Sequence, residues 1–557
     1  MSKFNRAGHK TAPHVKWATS PMGTTTRGGS TPDSKTFEGA AGWKRDTFTD
    51  LFLRSTSSLH GGEKTFYEDG DQRDAMLSQL TRGAALADSV WMFEFTSWLR
   101  THGNIRTAPL MIAADAVHAI LANGGSAVDT SDWTPQCAPA PGRRGLLRSL
   151  IDHVCQRPDE PGELLAYWMA TYGRKIPKPV KRGIADASRR LYSERSLLKY
   201  DTGSHPVRFA DVLELCHASP HPDKVAWQGD LFKHAIDRRH GRDEEVSPRL
   251  AMVRANRALR AEPNLDRWLD ANVLQGAGMT WEDALSAVGS KIEKKKIWEA
   301  VIPSMGYMAL IRNLRNFDEA GVSDTVANSV IVKLVQEKEV ARSRQLPFRF
   351  HSAYKNAPSD RWSHALSMAL DLCLPNVPEL PGRTLVLVDT SGSMELTIGG
   401  ESTMTNIAAA ALFGSALALR NADRVDLYQF ADFPARIPVQ KGGSVLKHVQ
   451  AIENCIGDVG HGTDIVGSMM AAYAAHDRVI ILSDMQTSGH WSRARVSSTV
   501  PVHIPVYAFN IGASSTSPME TGQDARFDLG GLTDHTFAQI PRLEAGKTGT
   551  WPWETAV

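Results

Sequence analysis

The sequence has no apolar run long enough to cross a membrane; no stretch approaches the roughly 18 uninterrupted apolar residues a spanning helix needs. Its opening residues, MSKFNRAGHKTAPH, contain no apolar core, so a secretory signal is not expected. Cysteine is scarce, with five residues in 557 (Cys137, Cys155, Cys216, Cys373 and Cys455). They are far apart and odd in number, which argues against a zinc site or a disulfide framework. A reducing, cytoplasmic setting is expected. Net charge is also small, at +2, but it is unevenly placed. From Cys373 onward there are 12 Lys and Arg against 18 Asp and Glu, and before it 51 against 43. A basic first part joined to an acidic second part points to an anionic partner for the first.

Residues 1–40 are rich in Gly, Ser and Thr (SPMGTTTRGGSTPDS) and read as a flexible arm. From 41 to 372 the apolar spacing is helical, as in DAMLSQLTRGAALADSVWMFEFTSWLRTHG, and strand signals are nearly missing. Short helices in series, broken by Gly or Pro, suit a degenerate repeat that stacks as a solenoid or ring; a compact helical domain is the alternative. The segment CLPNVPELPG (373–382) reads as a linker. Over 383–557, β-branched runs (TLVLVDT, RVDLYQFAD, RVIILSDM, HIPVYAFNI) alternate with helical stretches. That pattern predicts a doubly wound α/β domain with a largely parallel sheet. The expected class is therefore multidomain, α followed by α/β.

Ligands on such sheets sit at the carboxyl ends of strands. The stretch LVLVDTSGSM ends an apolar strand at Asp389 and follows it with Ser391 and Ser393 at alternate positions. GHGTD places Thr463 before a helix, and IILSDM ends a second apolar strand at Asp484. These are hard oxygen donors, suited to Mg2+ or a similar divalent cation and poor for zinc. The plain alternative is a strand-to-helix turn capped by Ser393. His461 and His490 lie near these positions in sequence and read as solvated loop residues.

A second constellation is YGRKIPKPVKRGIADASRRLYSERSLLKY (172–200). From Arg174 to Lys199 it holds nine basic residues and two acidic ones. Val180, Ile184, Ala187 and Leu191 form an apolar stripe, while Lys178, Arg182 and Arg189 project oppositely. Pro177 and Pro179 suit a helix start. Lys175, Lys181 and Lys199 add charge, and Tyr192 and Tyr200 offer rings for base stacking. A solvated face is the competing reading. Further basic positions are Arg100, Arg106, Arg143, Arg144, Arg148 and the pair Arg312 and Arg315, which share one helix face. Asn313 and Asn316 beside that pair suit base-edge contacts or helix capping. Arg106, Arg312 and Arg315 join Lys175, Lys178, Lys181, Arg182, Arg189 and Lys199 as candidate nucleic-acid contacts.

The strand-end set resembles the von Willebrand A fold with its metal-ion-dependent adhesion site, which implies Asp389, Ser391, Ser393, Thr463 and Asp484 as the shell. The helical part resembles the TROVE-domain proteins related to the Ro autoantigen. The resemblance is carried by GRKIPKPVKRGIAD, FADVLELCH, MALIRNLRNF, LPFRFHSAYKN and GGEKTFYE, over residues 40–370. It implies a ring of helical repeats closed by the A-type domain. It also implies small noncoding Y-like RNA on an outer basic face, and single-stranded ends of misfolded RNA in a central hole. In bacteria the family works beside exoribonucleases. One departure is VRFADVL, where animal members carry a His before the Asp-Leu-Leu pattern and this chain has Phe209, with His205 upstream.

The expected function is a monomeric RNA-binding scaffold without catalysis of its own, in RNA quality control, decay or maturation. A protein-assembly factor gripping a partner carboxylate through Mg2+ is the alternative. A metal-dependent nuclease is disfavoured, since two-metal hydrolysis needs more than two carboxylates.

Overall fold

The computed structural model describes residues 34–35, 41–42, 47–56, 70–103, 105–124, 145–242, 245–343, 345, 347–357, 359–398, 404–487, 499–511, 518–519, 525–530 and single positions between 537 and 553. Most of the N-terminal arm, the GGEKTFYE turn, Arg143, Arg144 and His490 lie outside them.

The chain falls into two compact units. Within the described residues the first comprises 84–100 and 106–332, and it is built of helices. Paired helices bury small and apolar residues against one another. Helix Thr107–Ala122 is apolar on nearly all sides and is buried throughout its middle, as a helix enclosed by others must be. Helices Leu146–Val154 and Lys178–Leu191 approach unusually closely at Gly183. A Cβ there would lie 2.6 Å from Ile151 Cβ and 2.7 Å from the Arg148 carbonyl. The same pair is clamped at its edge, where Arg148 donates to both oxygens of Asp186 at 2.6 and 2.9 Å.

Within the described residues the second unit takes in 34–35, 41–42, 47–56, 70–83, 101–103, 105 and those from 333 onward. The helices between 333 and 372, assigned to the helical domain on sequence grounds, thus group with the sheet. The expected linker is packed in place. Val377 and Leu380 are fully buried, the Leu380 N–H donates to Asn421 Oδ1 at 2.8 Å, and Asn421 Nδ2 donates to the Pro378 carbonyl. Proline and glycine mark the change of texture there, yet apolar side chains between them anchor the joint.

A two-residue ribbon, β1 (Ser34–Lys35) with β2 (Ala41–Gly42), is antiparallel. The main sheet has six strands: β3 (Thr384–Asp389), β4 (Val425–Phe430), β5 (Pro434–Ile437), β6 (Arg478–Ser483), β7 (Val506–Asn510) and β8 (Arg526–Gly530). Their order is β5-β4-β3-β6-β7-β8. All neighbours are parallel except β4 and β5. Alternate residues of β3 face opposite layers. Leu385 and Leu387 join Ile465 and Met469 of helix Ile465–Ala472 in one core. On the other face Val388 lies beneath Gly414 of helix Asn406–Arg420, and Phe413 stacks on Phe537 with centroids 4.0 Å apart. Both faces are covered, which is why β3 and β6 are buried at every position. The fold class expected from the sequence, helices followed by a doubly wound α/β domain, is the one found. The strand order reverses between β3 and β6, so the crevice for a ligand opens at their carboxyl ends.

Candidate metal centre and candidate nucleic-acid interface

Asp389 closes β3 and Asp484 follows β6, so the sheet itself sets the two carboxylates side by side at that crevice. Both are fully buried. The Ser391 N–H donates to Asp389 Oδ1 at 2.9 Å, and Ser483 Oγ donates to Oδ2 at 2.5 Å. Ser391 Oγ and Ser393 Oγ are 3.3 Å apart. The loop carrying Thr463 is tied to both neighbours. The His461 carbonyl accepts from the Gly392 N–H at 3.4 Å, and the Thr463 carbonyl accepts from Thr487 Oγ1 at 2.8 Å. Asp432, past β4, accepts from the Gly462 N–H at 3.1 Å.

Burial, reinforced by the charge of Asp484, pushes the Asp389 carboxyl up from 3.8 to about 7. Two desolvated carboxylates at one crevice cannot both ionise cheaply without a counter-charge. A divalent cation would supply that charge, and the hydroxyls of Ser391, Ser393 and Thr463 are oxygen donors of the type it takes. The residues present therefore fit such an ion. Sequence reasoning named all five of these residues but missed Ser483 and Thr487, which orient Asp389 and the Thr463 loop. Ser483 directly precedes Asp484, and the strand-end rule could have flagged it.

The predicted basic positions divide into two groups. Helix Lys178–Leu191 has Pro179 in its first turn and buries Val180, Gly183, Ile184, Ala185, Asp186, Ala187 and Ser188. Lys175, Lys178 and Arg182 are exposed and Lys181 is half-exposed. None of the four has an ion-pair partner among the described residues. Arg189 is held differently: its guanidinium donates to the Ser219 carbonyl and Oγ, each at 2.6 Å, and lies 3.4 Å from Asp186. It fastens the helix to the turn that follows helix Phe209–Cys216. Lys199 is exposed, with its ammonium 5.1 Å from the Tyr200 ring centroid.

Arg106, expected as an RNA contact, is instead structural. Its guanidinium reaches Asp159 and Glu163, both at 2.6 Å, and Glu160 at 3.6 Å. Arg100 joins this network with a two-pronged bond to Glu160 at 2.7 and 2.8 Å, and Arg157 reaches Asp159 at 3.2 Å. All three acids are buried, and their charges neutralise the arginines. Tyr192 is also removed from the interface. It is 2 % exposed and stacks on Phe209, ring centroids 3.8 Å apart, so no base can reach it. Phe209 thereby has a packing role of its own. Arg312 and Arg315 are exposed on helix Tyr307–Glu319, with Arg315 bridged to Glu319 at 2.8 Å. Such an exposed bridge is weak and leaves Arg315 accessible. Asn313 is buried and Asn316 half-buried. Asn313 bonds back to the Ala309 carbonyl and accepts from Asn316, so neither base reading nor capping describes it.

A helical unit and a doubly wound domain with a strand-end oxygen cluster define the class. Comparison with known proteins narrows it. The TROVE domain model matches residues 276–368. A segment of 77 residues is 40% identical to telomerase protein component 1 of Mus musculus and 39% identical to that of Rattus norvegicus, covering 14% of this chain. The chain spans about 3% of the length of those relatives. The crystal structure of the Deinococcus radiodurans Ro (RSR) protein superposes with a TM-score of 0.62 at 18% identity, over 90% of this chain and 100% of that one. The chain thus carries a TROVE-domain match and has the fold of a Ro protein. Among the described residues no helix is long and apolar enough to cross a membrane.

Proposed function

We propose that this chain is the RNA-binding scaffold of a Ro-like ribonucleoprotein, with no catalysis of its own. The observation that carries the reading is helix Lys178–Leu191, fixed on one side by its buried stripe and by Asp186. On the other side it presents Lys178, Lys181 and Arg182 without ion-pair partners among the described residues. Cations that the protein does not neutralise are available to phosphates. Lys175 and Lys199 flank that helix in sequence and are exposed, and Arg312 and Arg315 are further exposed cations, on helix Tyr307–Glu319. In the finer reading the basic face takes a small noncoding Y-like RNA, and single-stranded ends of misfolded RNA enter a central ring. The chain then serves RNA quality control, decay or maturation in the cytoplasm, with an exoribonuclease reached through the RNA.

Mg2+ held by Asp389, Ser391, Ser393, Thr463 and Asp484 gives the α/β domain a separate ligand site. The buried carboxylate pair favours a second reading, a protein-assembly factor that holds a partner's carboxylate through the ion. One experiment separates the two. In the first, Lys181→Ala with Arg182→Ala lowers the salt slope of RNA binding by about one to two units, and Asp389→Ala leaves RNA affinity within about tenfold. An unchanged slope in the double variant, with a protein partner lost on Asp389→Ala, rejects the first reading in favour of the second.

A further inference from the structure

The loop that carries Thr463 joins helix Val445–Glu453 to helix Ile465–Ala472. It turns back on itself, the Gly460 N–H donating to the Gly457 carbonyl at 3.3 Å. Both glycines have positive φ, 99° and 85°, and Gly462 follows two residues on. A stretch so rich in glycine is pliant unless something holds it. Ties to three neighbouring segments do so. The Gly392 N–H, in the loop after β3, donates to the His461 carbonyl at 3.4 Å. Thr487, beyond β6, donates to the Thr463 carbonyl at 2.8 Å. On the β4 side the tie is Asp432.

Asp432 stands two residues past the end of β4. Its N–H donates to the Val459 carbonyl at 3.0 Å, and the carbonyl of Ala431 before it accepts from the Asp464 N–H at 2.8 Å. The Asp432 side chain accepts from the N–H of Gly462, the residue before Thr463, at 3.1 Å. Backbone bonds from this corner thus grip the chain on both sides of Thr463. The carboxylate is seated where side chains are missing, since a Cβ on Gly460 or Gly462 would collide with its oxygens. Asp432 is exposed and has no ion-pair partner among the described residues.

The two candidate ions for the strand-end cluster respond differently to such a grip. Mg2+ demands near-ideal octahedral geometry with oxygens at about 2.0–2.1 Å, whereas Ca2+ takes about six to eight oxygens at about 2.3–2.6 Å in variable geometry. A loop pinned on three sides holds its hydroxyl at one distance, which suits the smaller and stricter ion. A loosened loop forfeits more with Mg2+ than with Ca2+.

We propose that Asp432 is a positioning residue that fixes Thr463 for a divalent cation and thereby sets the preference of the site for Mg2+ over Ca2+. It acts through the Gly462 amide, and its charge is not the operative feature. The inference rests on the metal reading of the strand-end cluster and names the residue that decides which ion the cluster takes.

The test is calorimetric titration of the full chain with Mg2+ alone and with Ca2+ alone. The native chain binds Mg2+ the more tightly. Asp432→Ala releases the loop and weakens Mg2+ binding by about 10- to 100-fold, with a much smaller loss for Ca2+. Asp432→Asn keeps an oxygen for the Gly462 N–H and retains both the Mg2+ affinity and the preference. Asp432→Glu keeps the charge but overfills the space between the glycines, and loses the preference as the alanine variant does. If the alanine variant does not fold, the asparagine and glutamate variants decide between position and charge. Equal loss of both ions in Asp432→Ala, a loss in Asp432→Asn as large as in Asp432→Glu, or a native chain that prefers Ca2+ overturns the inference and leaves the metal reading standing. If the native chain binds neither ion, both fall.

Discussion

Replacing Asp389 with Asn should make the metal-free protein more stable at alkaline pH, although the substitution damages the most distinctive motif in the chain. The reason is the buried carboxylate pair. Burial and Asp484 raise the Asp389 carboxyl from 3.8 to about 7. Its unfolded value is near 4. Below both values the folded and unfolded states are equally protonated, and the site costs nothing. As pH rises from about 4, the unfolded chain loses a proton that the folded chain retains. Stability therefore falls until about pH 7 and then levels off. The full loss is roughly 4 kcal/mol by order of magnitude. The amide removes it but cannot accept from both the Ser391 N–H and Ser483 Oγ, which costs about 1–3 kcal/mol. The net gain is then roughly 1–3 kcal/mol, or several degrees of melting temperature in a domain of this size. Mg2+ offsets that gain. At about 100 times its dissociation constant it stabilises the native protein by about 2.7 kcal/mol, and the Asp389→Asn variant cannot share in this. Thermal melts at about pH 8 and pH 5, with Mg2+ and with chelator, read all four cases. A native protein indifferent to Mg2+ at the higher pH, or an Asp389→Asn variant less stable than the metal-free native protein there, would refute the reasoning.

Three further predictions concern the helical unit. His153 is pressed down from 6.5 to about 4 by burial and by Arg190 and Arg100. The unfolded chain thus takes up a proton first, and stability falls by up to roughly 3 kcal/mol as pH drops from about 6.5 to 4; comparing urea midpoints of native and His153→Phe protein across that range isolates the effect. Arg106→Ala removes one partner from each of the buried carboxylates Asp159 and Glu163, while Arg157 still reaches Asp159 at 3.2 Å, so it should cost about 1–3 kcal/mol. RNA affinity measured on the folded fraction should change little, and a selective loss of RNA binding at full stability would return Arg106 to the interface. Gly183→Ala drives a Cβ into Ile151 and the Arg148 carbonyl, so calorimetry should show about 1–3 kcal/mol of destabilisation.

The doubly wound domain was legible because each of its signals is local. Apolar strands end in Asp389 and in Ser483–Asp484, and Thr463 stands just before a helix, so the sequence order alone carries all three to one sheet edge. The basic helix was legible for the same reason, its stripe and charges falling within one stretch. Pairings across long separations were not. Arg106 meets Asp159 and Glu163 more than 50 residues away, and no spacing rule connects them. Tyr192 reads as an available ring until Phe209, on the next helix but one, is seen stacked on it. The close approach at Gly183 leaves no trace in the sequence beyond one glycine in a helix.

The most direct test of the central claim is to crosslink the protein to RNA in its own host and sequence what is bound. The account predicts enrichment of a small structured RNA, with crosslinks concentrated between residues 174 and 200. Background RNA alone, with no crosslinks on that segment, would contradict it.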